Sequence, residues 1–214
     1  LVDMDPQGNA TQSVGVERKG LAYSMYDLLL GVEPTMDALQ KTALEFLSAL
    51  PSTRDLSGAE VELVGDEHRA LKLRQGIAPL VASFDWIIVD APPSLGLLTL
   101  NCLAAAESII IPLQCEYFAM EGLGALTSTI DLVKQSLNPH LQIEGILITM
   151  FDPRNNLSHQ VIKEVRDYFG GKVFKAVIPR NVRLAEAPSF GKPVVLYDAT
   201  CPGALAYIAL AREL

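Results

Sequence analysis

The chain has 214 residues, 50% of them hydrophobic, with 17 basic against 25 acidic side chains and a net charge of −8. This length suits one large domain, and the hydrophobic content excludes a disordered chain. The sequence contains no apolar run of the ~18 residues that cross a bilayer, and its three cysteines form no C-x-x-C pair that would indicate a zinc site.

Short runs rich in isoleucine and valine predict buried β-strands. In chain order they lie at residues 86–89, 108–111, 145–149 and 173–178, and Leu1-Val2-Asp3 is typical of the end of another buried strand. Of the four runs, all but the last are continuous rather than alternating, which is typical of parallel strands covered on both faces.

Amphipathic patterns between these runs predict helices. They lie at residues 23–30, with Ser24 as cap and Gly31 as stop, at 116–137 and at 157–169. A further helical stretch at 66–83 should kink or split at Gly76 and Pro79. The alternation predicts an α/β fold, a doubly wound and mostly parallel sheet with helices on both faces. Because no repeat or linker interrupts it, we predict a single domain over residues 1–214.

Charge is unevenly distributed along the chain. Residues 1–133 contain 7 basic and 18 acidic side chains, whereas residues 134–214 contain 10 basic and 7 acidic ones. The overall negative charge argues against nucleic acid as a partner, but this asymmetry can mark a basic face that the total conceals.

Two aspartates follow predicted strands at the edge where α/β sheets bind ligands. Asp90 ends the strand at 86–89 and precedes Pro92 and Pro93, while Asp5 follows the first strand. A carboxylate so placed can hold Mg²⁺ in a nucleotide site, often through a water, and a second one can orient an attacking water. An aspartate at a strand end can also simply cap the next turn, and the residues alone leave both interpretations open.

Four segments together resemble one known family. They are V-D-M-D-P-Q-G-N-A-T at 2–11, I-I-V-D-A-P-P-S-L-G-L-L-T-L-N at 87–101, C-E-Y-F-A-M-E-G-L at 115–123 and V-I-P-R-N-V-R-L-A-E-A-P-S-F-G-K-P at 177–193. These segments resemble the ParA/Soj chromosome and plasmid partition ATPases, which belong with MinD to the deviant-Walker P-loop group. The resemblance runs from Leu1 to Arg212 and implies a P-loop NTPase fold of the SIMIBI type.

The resemblance implies roles for residues of the nucleotide site. Asp5 matches the aspartate needed for hydrolysis, and Asp90 matches the Walker B aspartate that holds Mg²⁺, directly or through a water. Asp3 matches a position that is either structural or in contact with the magnesium ion or its water shell. Pro179 and Asn181 match the segment that lies against the adenine of ATP, although Pro179 alone also fits a simple turn.

The resemblance also implies partners. Arg154 and Arg183 match positions used for sequence-independent DNA binding, since arginine suits phosphate contacts. From charge alone, a solvated arginine or an ion pair between Arg154 and Asp152 remains the alternative. The family implies an ATP-dependent homodimer that binds nucleoid DNA in the cytoplasm, away from membranes. It also implies a ParB-type centromere-binding protein as the partner that stimulates ATP hydrolysis.

One expected motif does not occur in these residues. The P-loop pattern G-x-x-x-x-G-K-[ST] fits neither Gly171-Lys172 nor Gly191-Lys192, because Val173 and Pro193 follow them. In the family this motif precedes V-D-x-D-P-Q, so we expect an N-terminal truncation that removes the first strand, P-loop and helix, roughly 35–40 residues. We therefore expect these 214 residues alone to bind ATP poorly and to hydrolyse none.

Two other functions remain open. A MinD-like ATPase would bind membranes through a basic amphipathic C-terminal helix, but residues 202–214 are mostly apolar, with Arg212 the only base. A noncatalytic fragment of the family is the other alternative.

Overall fold

The computed structural model describes residues 1–32 and 35–214. The chain divides into two compact units, one formed by residues 1–106 with 188–193 and the other by residues 107–187 with 194–214. We call them the N-terminal unit and the C-terminal unit. The sequence predicted a single domain over residues 1–214. Whether the two units form one domain stays a prediction.

The N-terminal unit contains a pair of parallel strands and a pair of antiparallel strands, together with several helices. Its elements are β1 (Val2–Asp3), α1 (Asn9–Ser13), α2 (Met25–Leu30), α3 (Thr35–Ala38), β2 (Gln40–Lys41), β3 (Ser48–Ala49), α4 (Leu56–Glu62), α5 (Lys72–Ile77), β4 (Val89–Asp90) and α6 (Leu97–Ala105). Strand β1 pairs in parallel with β4, so that Asp3 lies opposite Asp90, and a parallel bridge joins Val2 to Leu50 on its other side. Strand β2 pairs antiparallel with β3.

The core of the N-terminal unit explains why the first strand is fixed. Val2 and Met4 are buried with Leu29, Leu50 and Leu73 in one apolar cluster. Burying a leucine- or valine-sized side chain stabilises a fold by about 1.5–3 kcal/mol, so the cluster anchors β1 firmly. The chain that leaves β1 therefore starts from a fixed point.

The C-terminal unit is built on a three-stranded parallel sheet. Its elements are β5 (Ser108–Gln114), α7 (Ala119–Ser136), β6 (Gln142–Phe151), α8 (Asn156–Phe169), β7 (Val173–Pro179), α9 (Val182–Glu186), α10 (Val194–Tyr197) and α11 (Pro202–Ala211). The strand order is β5-β6-β7, and all neighbours are parallel. Leu147, Ile178 and Leu210 join β6, β7 and α11 in a buried cluster.

Most predicted elements are confirmed, and their local signals are visible. Ser24 caps α2 as predicted: its Oγ accepts a hydrogen bond from the Tyr26 N–H, while the Ser24 N–H donates to Asp27. Gly31 ends α2 with a φ of 70°, where a side chain would be strained. The stretch at 66–83 is split at Pro79 as predicted, since a 3₁₀ turn over Ala78–Leu80 follows α5, but Gly76 lies inside α5 and does not interrupt it.

Two details of the predicted burial are wrong. The segment at 86–89 is not a buried strand, because only Val89 of it pairs in β4, while Trp86 and Ile88 are 71% and 64% exposed. Strand β5 alternates between buried and exposed residues, so it is covered on one face only. A continuous apolar run indicates the neighbourhood of a strand, but it shows neither how many of its residues pair nor whether both faces are covered.

The sequence also made predictions about the three cysteines and about membrane-spanning helices. Cys102, Cys115 and Cys201 are free and buried, which confirms their interpretation as small core residues, and burial raises the pKa of Cys102 to about 12. Within residues 1–32 and 35–214, no helix is both long enough and apolar enough to cross a membrane.

Candidate functional site

Three aspartates meet at the carboxyl ends of β1 and β4 in the N-terminal unit. Asp3 ends β1 and lies opposite Asp90, the last residue of β4, and Asp5 follows two residues after Asp3. The backbone fixes this arrangement, since the Met4 N–H donates to the Asp90 carbonyl at 2.9 Å. The sheet therefore brings together the three aspartates predicted from the sequence.

Asp3 is fully engaged by hydrogen bonds and is 1% exposed. Its Oδ1 accepts from the Asp5 N–H at 3.1 Å, and its Oδ2 accepts from the N–H and the hydroxyl of Thr11 at 2.7 and 2.6 Å. The Thr11 hydroxyl accepts in turn from the Ser52 N–H at 3.0 Å. This network supports the structural alternative for Asp3, and its contact with magnesium stays a prediction.

Asp5 opens a tight turn that leads into α1. Its Oδ1 accepts from the Gln7 N–H at 2.9 Å, and its carbonyl accepts from the Gly8 N–H at 2.9 Å. Gly8 has a φ of 67°, and a Cβ there would lie 2.8 Å from Cδ of Arg18. Arg18 also donates through Nη1 to the Gln7 carbonyl. Turn and arginine together fix the direction of Asp5, whose Oδ2 accepts no hydrogen bond from the described residues.

Asp90 is the member of the trio suited to a cation. Desolvation, then the negative charges of Asp3 and Asp5, raise the pKa of Asp90 to about 6. Because Asp90 as a whole residue is exposed, the repulsion from the two neighbouring carboxylates is the cause that the geometry supports best. A cation beside Asp90 would relieve this repulsion and favour its charged form.

Pro179 and Asn181 lie at the carboxyl end of β7 in the C-terminal unit. Pro179 is the last residue of β7, and Asn181 caps α9, because its Oδ1 accepts from the Arg183 N–H at 3.0 Å. The sequence did not predict this capping role. It occupies the amide oxygen of Asn181, while the amide nitrogen donates no hydrogen bond to the described residues.

Both predicted DNA-binding arginines are exposed and form ion pairs. Arg154 binds Asp152 in a bidentate manner, with its Nε and Nη2 2.9 and 2.7 Å from the two carboxylate oxygens. Arg183 donates to Glu186 at 2.7 Å and lies 3.5 Å from Asp198. The predicted alternative for Arg154, a pair with Asp152, is therefore present, and DNA would have to compete with these carboxylates.

A small cavity of about 330 Å³ lies at the carboxyl ends of β5 and β6. Arg180 and Asp152 provide charged groups in its wall, and Met150 lines it with a φ of 54°. The Arg180 N–H donates to the Phe151 carbonyl at 2.9 Å, which ties the end of β7 to β6. The resemblance places Arg180 in the segment next to the adenine but gives it no role of its own, although a position directly after a strand was the signal used for Asp5 and Asp90.

Comparisons with known proteins agree with these motifs. A sequence profile described as an AAA domain matches residues 1–143. The chain is 57% identical to the chromosome partitioning protein ParA of Myxococcus xanthus, over 100% of this chain and 76% of that protein. It is 50% identical to the sporulation initiation inhibitor protein Soj of Bacillus subtilis, over 100% of this chain and 84% of that protein.

The chain belongs to the ParA/Soj family of chromosome-partitioning ATPases.

A solved structure supports the ParA/Soj fold. The cobyrinic acid a,c-diamide synthase of Mycobacterium smegmatis, crystallised with ADP and magnesium, is 38% identical and superposes with a TM-score of 0.84. The alignment covers 100% of this ParA/Soj chain and 80% of the synthase chain. The predicted α/β class with parallel sheets and helices is therefore confirmed.

The carboxylates of this ParA/Soj chain suit a magnesium site that waters and phosphates complete, rather than a site in which side chains supply every ligand. In the described part of the chain, no group of three or more His, Cys, Asp or Glu side chains is arranged to hold a metal ion. Mg²⁺ is usually bound by one or two carboxylates, with waters and phosphates completing its coordination. Asp90 fits that requirement, since it is exposed and two further carboxylates add negative potential.

Proposed function

We propose that the protein is an ATP-dependent switch for DNA partition that acts in the cytoplasm on the nucleoid. It binds ATP with Mg²⁺, dimerises around the nucleotide, binds DNA without sequence preference and hydrolyses ATP when a ParB-type partner engages it. The meeting of Asp3, Asp5 and Asp90 at two neighbouring strand ends is the observation that supports the nucleotide site. The 57% identity to a ParA protein supports the switch.

Each aspartate of the trio has its own role in this proposal. Bound ATP supplies the phosphoryl group, and Mg²⁺ supplies positive charge that stabilises the phosphate oxygens. Asp90 would hold the magnesium ion, directly or through a water. Asp5 would accept a hydrogen bond from the attacking water through Oδ2, because its Oδ1 already binds the Gln7 N–H. Asp3, whose two oxygens bind Thr11 and the Asp5 N–H, would keep this turn in place.

The reaction is the transfer of a phosphoryl group to water. Water attacks the terminal phosphorus of ATP, the bond to the bridging oxygen breaks, and ADP and inorganic phosphate leave. Pro179 and Asn181 would contact the adenine. The amide nitrogen of Asn181 is suited to an acceptor on the base edge, since its oxygen caps α9. A magnesium contact of Asp3 would require one of its present hydrogen bonds to be exchanged.

DNA binding is assigned to Arg154 and Arg183. Their side chains are 87% and 51% exposed, so a phosphate can reach them. A DNA phosphate would replace Asp152 as the partner of Arg154, and Glu186 and Asp198 as the partners of Arg183. Such an exchange makes binding strongly dependent on salt.

The DNA assignment is tested on the product of the complete open reading frame. Retention on duplex DNA is measured across a salt series with ATP and Mg²⁺, and ATP turnover is measured in parallel. We expect Arg154→Gln with Arg183→Gln to abolish retention and to leave turnover within about twofold. Arg74→Gln, at an exposed arginine of α5, is the matched control. Loss of nucleotide binding in the double variant, or unchanged DNA retention, would overturn the assignment.

Two further experiments test the alternatives, a MinD-like membrane-binding ATPase and a noncatalytic fragment of the family. Sedimentation with anionic liposomes would identify a MinD-like protein, because the proposed switch should stay in the supernatant. The 214 residues by themselves contain no G-x-x-x-x-G-K-[ST] motif, so we expect no magnesium-dependent ATP turnover from them. Turnover by this polypeptide would contradict the assigned need for that motif.

A further inference from the structure

A cleft in the N-terminal unit collects positive charge in an otherwise acidic part of the chain. It has a volume of about 810 Å³ and lies between the end of α1, the loop that follows it, the segment before α4 and residues 190–191. Arg18, Lys19 and Arg54 line it, with Glu17 as its one acidic residue. The whole unit contains 8 basic and 14 acidic side chains, so a positively charged cleft lies in a unit whose net charge is negative.

The three cations of this basic cleft have no acidic partner among the residues that the structure describes. In residues 1–32 and 35–214, no carboxylate forms an ion pair with Arg18, Lys19 or Arg54. Arg154 and Arg183, in contrast, are paired with carboxylates. Arg18 is half-buried and uses one of its five N–H groups on the Gln7 carbonyl. Lys19 and Arg54 are exposed, which leaves their charged groups accessible from the cleft.

An aromatic ring lies at the same cleft. Phe190 lines it and is 61% exposed. A flat ring of a ligand can stack on such a side chain, while cations bind phosphate groups beside it. A volume of about 810 Å³ is within the range of small-molecule sites.

We propose that the basic cleft binds a small molecule with two or more phosphate groups and a flat ring, such as a nucleotide. Arg18, Arg54 and Lys19 contact the phosphates, and Phe190 contacts the ring. This site is separate from the aspartate trio, which repels phosphates when no metal ion is present. It does not depend on the proposed partition function.

The cleft is in contact with the turn that carries Asp5, because Arg18 belongs to the cleft and touches the turn. The Arg18 guanidinium donates to the Gln7 carbonyl and lies against Gly8. A phosphate bound to Arg18 would therefore change the surroundings of the Gly8 amide. The same ligand would change the Gly191 amide, because Gly191 lines the cleft directly.

The experiment uses the 214-residue chain in EDTA, with inorganic tripolyphosphate as the first probe. Calorimetry gives its Kd, and we expect Arg18→Gln with Arg54→Gln to weaken binding about tenfold or more, since two charge-assisted contacts are lost. Because Arg18 also supports the Gln7–Gly8 turn, Lys19→Gln with Arg54→Gln is made as a second variant. Lys41→Gln with Arg74→Gln, at exposed residues outside the cleft, is the matched control.

A nucleoside triphosphate is the second probe, and it tests the ring contact. We expect Phe190→Ala to weaken its binding several-fold and to leave tripolyphosphate binding within about twofold. Phe46→Ala, at a ring that is 84% exposed elsewhere in the unit, should change neither. Amide spectra should show shifts at Gly8 and Gly191 on addition of either probe.

Three results would contradict the proposed small-molecule site. Absence of tripolyphosphate binding, or a Kd unchanged in both charge variants, would overturn the proposal. Short duplex DNA is measured alongside. If the charge variants lowered DNA retention while tripolyphosphate binding stayed unchanged, the cleft would be a DNA contact and the small-molecule site would be wrong.

Discussion

The carboxylate of Asp3 accepts two hydrogen bonds from one residue, the backbone N–H and the hydroxyl of Thr11, at 2.7 and 2.6 Å. Both residues are buried, so the charge of Asp3 depends on these donors for its solvation. The pair links the end of β1 to α1 and encloses the Asp5–Gly8 turn between its two members.

Replacing Thr11 by Val should destabilise the chain by about 2 kcal/mol, because a buried charged acceptor loses a donor and the Ser52 N–H loses its acceptor. Chemical denaturation followed by circular dichroism measures this loss. Thr11→Ser, which keeps the hydroxyl, should recover most of it. Equal stability of the Val variant and the natural chain would show that the hydroxyl contributes nothing.

Asp90→Asn should stabilise the metal-free chain at neutral pH but not in acid. The pKa of Asp90 is raised to about 6 in the folded chain, by desolvation and by Asp3 and Asp5. Its contribution to stability is therefore fully present below pH ~4, the usual range of an aspartate, and is lost as the pH rises through 6. Because Asp90 is exposed, we expect the advantage of the variant to reach only on the order of 1 kcal/mol by pH 8.

Urea unfolding in EDTA at a series of pH values measures this difference. Asp85→Asn, at an exposed aspartate that does not contribute to the Asp90 shift, is the control. A stability difference between the Asp90→Asn variant and the natural chain that stays constant from pH 4 to 8 would contradict the repulsion among the three carboxylates.

Gly8→Ala should cost about 1–2 kcal/mol and should disturb Arg18. Gly8 has a φ of 67°, and its new Cβ would lie 2.8 Å from Cδ of Arg18. Gly20→Ala is a matched control, because Gly20 has a φ of 77° but open space around its Cβ position. Thermal unfolding of both variants separates the two causes, since only the Gly8 variant should recover stability when Arg18 is also changed to Ala.

Arg154→Gln should raise the pKa of Asp152, because the guanidinium is the largest cause of its lowered value. The side chain and backbone N–H of Arg154 hold the pKa of Asp152 well below its usual range. Without the guanidinium we expect the pKa of Asp152 to rise towards the usual ~3.9. Carboxyl ¹³C chemical shifts followed over pH measure it. Arg166→Gln, at an exposed arginine on α8, should leave Asp152 unchanged.

Local signals in the sequence predicted the elements well. Ser24 and Gly31 bound α2 because a hydroxyl and a flexible backbone satisfy helix ends without help from distant residues. Asp5 and Asp90 could be placed at strand ends for a similar reason, since a run of isoleucine and valine indicates where a strand lies. Burial was harder to predict, as Trp86 and Ile88 show, because it depends on what packs over a strand.

The parts of the site that the sequence did not predict depend on residues far apart in the chain. In the sequence Thr11 is an ordinary polar residue, and its role follows only from its hydrogen bonds with Asp3 and Ser52. The basic cleft joins Arg18, Arg54 and Phe190, and no spacing rule connects them. Distance in sequence also hid the ion pair between Arg183 and Asp198, which lies fifteen positions later.

The exposure of Trp86 has a practical consequence. Trp86 is the chain's single tryptophan, and it lies three residues before β4, whose last residue is Asp90. At 71% exposure its indole should emit like a solvated one. Any chain or ligand that covers this side of the strand should shift the emission to the blue. The protein thus carries its own fluorophore four residues before Asp90, and assembly that covers this position can be followed in solution without an added label.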